Sequence, residues 1–108
     1  GRFSWEGFVI EQILSCLDSL GHSRQPCFFK TSDGHELDLV LILNGEIWAF
    51  EIKLSGLSGR KEMDKLKRTA EMIGADKMVL ISRTRKEIRS KHIISTHLAG
   101  VLRLVSEL

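Results

Sequence analysis

Apolar positions change their period several times along the chain, and each change predicts an element. Between Ser4 and Leu20, Val9, Ile10, Ile13, Leu14, Leu17 and Leu20 recur at spacings of three and four, which marks an amphipathic helix with Ser4 as its N-cap and Gly21 as its stop. Pro26 then opens an extended run, CFFK, and Ser32, Asp33 and Gly34 predict a tight turn into HELDLVLIL. Asn44 and Gly45 supply the strongest short hairpin signal, a two-residue type I′ turn, before EIWAFEIKL. Three antiparallel strands are therefore expected after the first helix. Gly56 to Gly59 reads as a Gly/Ser loop, and Met63, Leu66, Ala70 and Ile73 form a second helical stripe that Gly74 ends. Lys77 to Ser82 reads as a buried strand, reached through a helical crossover of the length that parallel pairing requires. A basic segment, RTRKEIRSK, follows, and Leu98, Val101, Leu102, Val105 and Leu108 predict a closing amphipathic helix. The expected architecture is a single α/β domain over residues 1–108, a mixed four-stranded sheet flanked by helices.

Charges interrupt this pattern where a core should be. A two-residue turn pairs Leu43 with Glu46, and the same register sets Asp38 opposite Glu51 and Glu36 opposite Lys53. Opposed residues share a face, so Asp38, Glu51 and Lys53 are expected to project from one side of the sheet, with Trp48 and Phe50 packed as core on the other. Two ionised carboxylates about 5 Å apart repel by roughly 3 kcal/mol at an effective dielectric near 20. A divalent cation between them reverses that cost, because hard oxygen donors suit magnesium or manganese. Lys53 beside such an ion is placed to orient a water and to steady charge developing on a phosphate. Glu6 lies in the middle of the first helix's apolar stripe, an expensive position for a carboxylate without a cation or donors. Packing of that helix on the face of Asp38 and Glu51 would bring Glu6 to the metal. Glu11 falls on the polar side of the helix. Taken singly, each of these charges reads as a surface residue or an ion-pair partner; their agreement in register and face is what points to a site.

Composition narrows the picture without supplying chemistry. The chain has 108 residues, of which 43% are hydrophobic and 28% charged, ordinary values for one globular domain. Its longest nearly uncharged apolar run, Leu39 to Leu43, is far below the roughly 20 residues that span a bilayer, so no membrane partner is expected. Cys16 and Cys27 show neither disulfide nor zinc spacing, and no signal peptide opens the chain, so a reducing cytoplasm is expected. Without an initiator Met, Gly1 is read as a boundary within a longer protein. The four histidines, His22, His35, His92 and His97, lack ligand spacing, and no Gly-x-Ser-x-Gly elbow is present. Net charge is +2, distributed as −4 over residues 1–50 and +6 over residues 51–108. Lys61, Lys65 and Arg68 fall on one side of the second helix, and Arg83, Arg85, Lys86, Arg89 and Lys91 follow the fourth strand. Of these, Lys61, Lys65, Arg68 and Arg85 are the candidate phosphate contacts, and a solvated basic face explains them equally well.

The order of helix, three strands, helix and strand, with Asp38, twelve intervening residues and then EIK, resembles the PD-(D/E)XK superfamily, the restriction-endonuclease-like fold. More narrowly, SWEGFVIEQIL, FFKTSDGHELDLVL and AFEIKLS look like the C-terminal domain of unknown function attached to many prokaryotic AAA-type ATPases. The likeness runs over residues 3 to 83; Leu37 stands where the superfamily often has proline before the Asp. It implies a magnesium- or manganese-dependent deoxyribonuclease in which Asp38 and Glu51 bind the metal, Glu6 supports it and Lys53 is the catalytic lysine. DNA and a linked ATPase are the implied partners, and the closing helix is a candidate homodimer surface. The alternative from another class is an inactive nuclease-fold module for DNA binding, dimerisation or regulation of the ATPase. No phosphate-binding loop of the Walker type occurs in these residues.

Overall fold

Helix α1, Trp5–Ser19, starts where the sequence offers a hydroxyl. Ser4 Oγ accepts the Gly7 N–H at 3.1 Å, satisfying one of the four N–H groups that a helix start leaves open. At the far end the Gly21 N–H donates to the Asp18 carbonyl at 3.0 Å and the His22 N–H to the Leu17 carbonyl at 3.1 Å, the bond pair that closes a helix when glycine follows it. The structure, a computed structural model, describes residues 4–22, 26–54 and 60–108. The loop expected at Gly56 to Gly59 lies outside the described residues.

Strands β1 (Cys27–Lys30), β2 (Glu36–Leu43) and β3 (Glu46–Ile52) form the expected antiparallel meander. Asn44 and Gly45 take φ values of 51° and 79°, the left-handed pair that a type I′ turn demands. The ladder runs from Leu43↔Glu46 to Leu39↔Phe50, the register that a two-residue turn dictates. Helix α2, Arg60–Met72, crosses over to β4, Lys77–Ile81, which lies parallel to β3. α2 closes as α1 does, with the Gly74 N–H on the Glu71 carbonyl and the Ala75 N–H on the Ala70 carbonyl. Helix α3, Leu98–Ser106, ends the fold, and His97 caps it by accepting the Gly100 N–H on Nδ1 at 3.0 Å.

The sheet has six strands where four were expected. β5 (Ile88–Arg89) and β6 (Ile93–Thr96) extend it to the order β1-β2-β3-β4-β6-β5, with β6 parallel to β4 and β5 antiparallel to β6. β6 escaped the pattern because its buried half ends in hydroxyls: Ser95 and Thr96 are almost wholly enclosed. β5 is two exposed residues inside the basic segment. Cys27 is exposed on edge strand β1, while Cys16 is half-buried.

Two cores sandwich the sheet. On one face Val9, Ile13 and Leu17 of α1, with Val101 and Val105 of α3, pack against Leu39, Leu41, Leu43, Trp48, Phe50 and Ile52. On the other, Leu66 and Ala70 of α2 pack against Leu37, Ala49, Met78 and Leu80. Trp48 and Phe50 are core as expected. α1, however, covers the Phe50 and Ile52 face, whereas the alternation of β3 puts Glu51 with Ala49 on the face of α2. The expected packing of α1 over Asp38 and Glu51 is therefore corrected: the six apolar side chains of β2 and β3 on the α1 face give its stripe a larger partner than the acid-bearing face offers. No helix among the described residues is long and apolar enough to cross a membrane.

Candidate functional site

Leu37 and Leu39 lie two residues apart in β2, yet they enter different cores, so the strand turns over at Asp38. The β2–β3 ladder stops just there. The Ile52 N–H, which a continued ladder would give to a main-chain carbonyl, donates instead to Asp38 Oδ2 at 2.7 Å. The half-buried carboxyl is thereby drawn between the strand ends. β3 itself continues against β4, with the Lys53 N–H on the Ile81 carbonyl at 2.8 Å.

Glu51 and Glu6 both have Asp38 as a neighbour that raises their pKa through hydrogen bonding and charge. Glu51 is only 6% exposed; burial first, then the Asp38 hydrogen bond and charge, push its pKa up to about 9, with Lys53 pulling the other way. Glu6, at the exposed start of α1, is also raised, again by burial first and Asp38 second, and again opposed by Lys53. The carboxyls share one electrostatic neighbourhood. Glu6 reaches it although α1 lies on the opposite face from Glu51, because the first turn of α1 meets the end of β3: Ser4, Trp5, Glu6, Ile52 and Leu54 line an open hollow of about 400 Å³.

The site residues predicted from sequence thus divide. Glu6, Asp38, Glu51 and Lys53 come together. Lys61, Lys65, Arg68 and Arg85 are exposed, and none of them contributes to the electrostatic surroundings of Glu6 or Glu51. Glu36 joins the acidic group unannounced, its charge raising both glutamates. The signal for it was present: Glu36 is two residues before Asp38 on the same strand, and the hairpin register sets it opposite Lys53. Arg83 also sits at this end of the molecule, its guanidinium carbon 5.4 Å from the centre of the Trp5 ring. A roomier hollow, about 480 Å³, lies at the other end of β4 among Lys67, Glu71, Asp76, Lys91 and His92, and holds none of the four. The carboxyl group is a stronger functional candidate than the larger hollow, since it combines a buried and a half-buried acid with an ammonium.

Among the described residues, no group of three or more His, Cys, Asp or Glu side chains forms a ready-made metal cage. Magnesium seldom uses one: one or two carboxylates, waters and substrate phosphates are its usual shell. Asp38 and Glu51 meet that requirement as donors, since both are carboxyls and Glu51 holds a buried proton that a cation can replace.

A family profile described as Domain of unknown function (DUF4143) matches residues 2–99. The chain belongs to the DUF4143 family. Comparison with curated proteins and with solved structures gave no match. In this DUF4143 domain the matched span takes in Glu6, Glu36, Asp38, Glu51, Lys53 and Arg83, and reaches into the first turn of α3.

Proposed function

We propose that this domain is a metal-dependent DNA endonuclease of the PD-(D/E)XK type, joined to an AAA-type ATPase. One observation carries the reading: Asp38, held by the Ile52 N–H, lies close enough to Glu6 and Glu51 to raise the pKa of both, with the Lys53 ammonium lowering them. A fold with no use for this arrangement gains nothing from it, because burial and mutual repulsion hold a proton on Glu51 far above the ordinary carboxylate range. Asp38 and Glu51 would hold magnesium or manganese, with Glu6 in support. The ion, when bound, supplies positive charge for a phosphate and makes a coordinated water more acidic. Lys53 keeps an ammonium next to the same carboxyls, where it can orient a water and offset charge growing on the phosphate. Ile52 fixes the Asp38 carboxyl through its N–H, so this ligand is set before any ion arrives.

Nicking of supercoiled plasmid with magnesium or manganese tests the proposal. Wild type should cut, and Asp38→Asn or Lys53→Ala should lower the rate by at least about a hundredfold, in the range that single catalytic groups contribute. Asp38→Asn is the sounder control than alanine, since its amide oxygen still accepts the Ile52 N–H and the fold should survive. Wild type that binds supercoiled, linear and single-stranded DNA yet cuts none of them with either metal would leave the non-catalytic module, serving the ATPase or a second copy, as the better reading.

A further inference from the structure

We infer that Arg83 is the phosphate-binding side chain of this site and that Trp5 holds it in position, an assignment that rests on the nuclease reading above. The main chain brings Arg83 to the right place. The Lys53 N–H bonds the Ile81 carbonyl at 2.8 Å, so β4 and the catalytic end of β3 leave the sheet side by side, with Arg83 two residues further on. The turn there is fixed by side chains: Ser82, almost wholly buried, accepts the Thr84 N–H on Oγ at 3.2 Å, and Thr84 Oγ1 accepts the Lys86 N–H at 3.2 Å.

The side chain is then steered by aromatic contact. Its guanidinium carbon sits 5.4 Å from the centre of the Trp5 ring, within cation–π range, and Trp5 stacks at 6.0 Å on Phe8 one turn along α1. Trp5 Nε1 is buried and finds no hydrogen-bond partner among the described residues, so packing sets the ring's position and no polar bond does. Trp5 precedes Glu6 in the chain and lines the same hollow. Arg83 thus spans from the exit of β4 to the start of α1, where Trp5 and Glu6 line one hollow.

Electrostatics gives the side chain its role. Even with a proton on Glu51, the acids Glu6, Glu36 and Asp38 outnumber the Lys53 ammonium beside them, and a polyanionic strand entering this neighbourhood needs cationic donors at its edge. Arg83 is exposed and makes no ion pair with a carboxylate of the described residues. Its guanidinium carbon lies over an indole, a contact that uses none of its N–H groups and leaves them for a phosphate, and guanidinium is the group whose fork matches phosphate oxygens. Lys61, Lys65, Arg68 and Arg85 are equally exposed, but no contact ties them to the site. The ligand is a backbone phosphate of DNA next to the one being cut.

Binding and cleavage measured in parallel test this. Anisotropy of labelled single-stranded and duplex DNA oligonucleotides, with calcium in place of magnesium, reads affinity against salt; plasmid nicking with magnesium reads turnover. Arg83→Gln should raise Kd roughly tenfold, the cost of losing one charged hydrogen-bonding group. It should also make the dependence of log Kd on log salt shallower by about 0.7 to 0.9, one phosphate's worth. Arg83→Lys should keep the salt slope and recover part of the affinity. Trp5→Leu should weaken binding alone and add nothing in the Arg83→Gln background. Circular dichroism and Tm of Arg83→Gln should match wild type, since the residue is exposed. Equal affinity and salt slope in Arg83→Gln and wild type would overturn the assignment even if cleavage is robust. Arg83-dependent binding by a wild type that cuts nothing would overturn the nuclease reading and keep the phosphate contact. Wild type that binds neither oligonucleotide would overturn both.

Discussion

Glu51 ties stability to pH in a direction opposite to that of most carboxylates. Its folded pKa of about 9 stands above the ordinary 4.5, so between these values the native protein holds a proton that the unfolded chain has lost. The contribution is whole below about pH 4.5 and is lost as pH rises toward about 9. In EDTA, Tm should fall across that window, Glu6 should add to the lower part of the fall because it too is raised, and Glu51→Gln should flatten most of it. Manganese should reverse the trend: it displaces the proton, so its stabilising effect should be larger at about pH 8 than at about pH 6 and should vanish in Asp38→Ala. A wild-type Tm that is flat over this range, with no response to manganese, would contradict the buried proton. At this scale the sequence was informative, because counting outward from Asn44 and Gly45 fixes which residues oppose each other. It missed how Asp38 is held, since a side chain standing in for a ladder carbonyl leaves no mark on residue spacing.

Elements were legible where a period or a cap marked them and illegible where burial involved hydroxyls. α1, α2 and the β2–β3 hairpin followed from apolar spacing and turn chemistry, while β6 did not, as Ser95 and Thr96 read as loop residues until the sheet encloses them. The side of the sheet chosen by α1 was illegible for a related reason: its stripe suits either face, and only the tally of apolar partners on β2 and β3 decides. Two element-level tests follow from close geometry. Gly45→Ala puts a Cβ on a residue at φ 79° and should cost about 1 to 2 kcal/mol, lowering Tm by roughly 4 to 8 °C per kcal/mol in a domain of this size. Gly100→Ala would drive its Cβ into Thr96 Oγ1, beneath α3, and should cost about 1 to 3 kcal/mol as an overpacked contact. Thr96 Oγ1 is buried without a partner, so Thr96→Ala in combination should return much of that loss; a double variant no more stable than Gly100→Ala would place the fault in the helix and not in its seat on β6.

At the scale of the whole molecule, the acidic group lies where residues of the two cores meet along β2 and β3. α1 belongs to the core on one face of the sheet and the Glu51 side of β3 to the other, and among the contacts that join them is a carboxyl at the point where β2 turns over. Apolar spacing predicts a helix for each half but not this junction, because the turn-over of β2 appears only when Leu37 and Leu39 are seen in different cores. Glu6 and Glu51 should therefore be coupled through Asp38 even though they sit on elements that pack on opposite faces. A double-mutant cycle with Glu6→Gln and Glu51→Gln, measured by urea denaturation at about pH 8, should depart from additivity by at least about 0.5 kcal/mol, as groups sharing one network do. Relief obtained by neutralising one glutamate should be smaller once the other is neutral, since both act on the same carboxyl. Repeated in an Asp38→Ala background, the same cycle should become additive within about 0.3 to 0.5 kcal/mol. Coupling that persists without Asp38 would mean that the two glutamates sense each other directly, and the hub assigned to Asp38 would have to be given up.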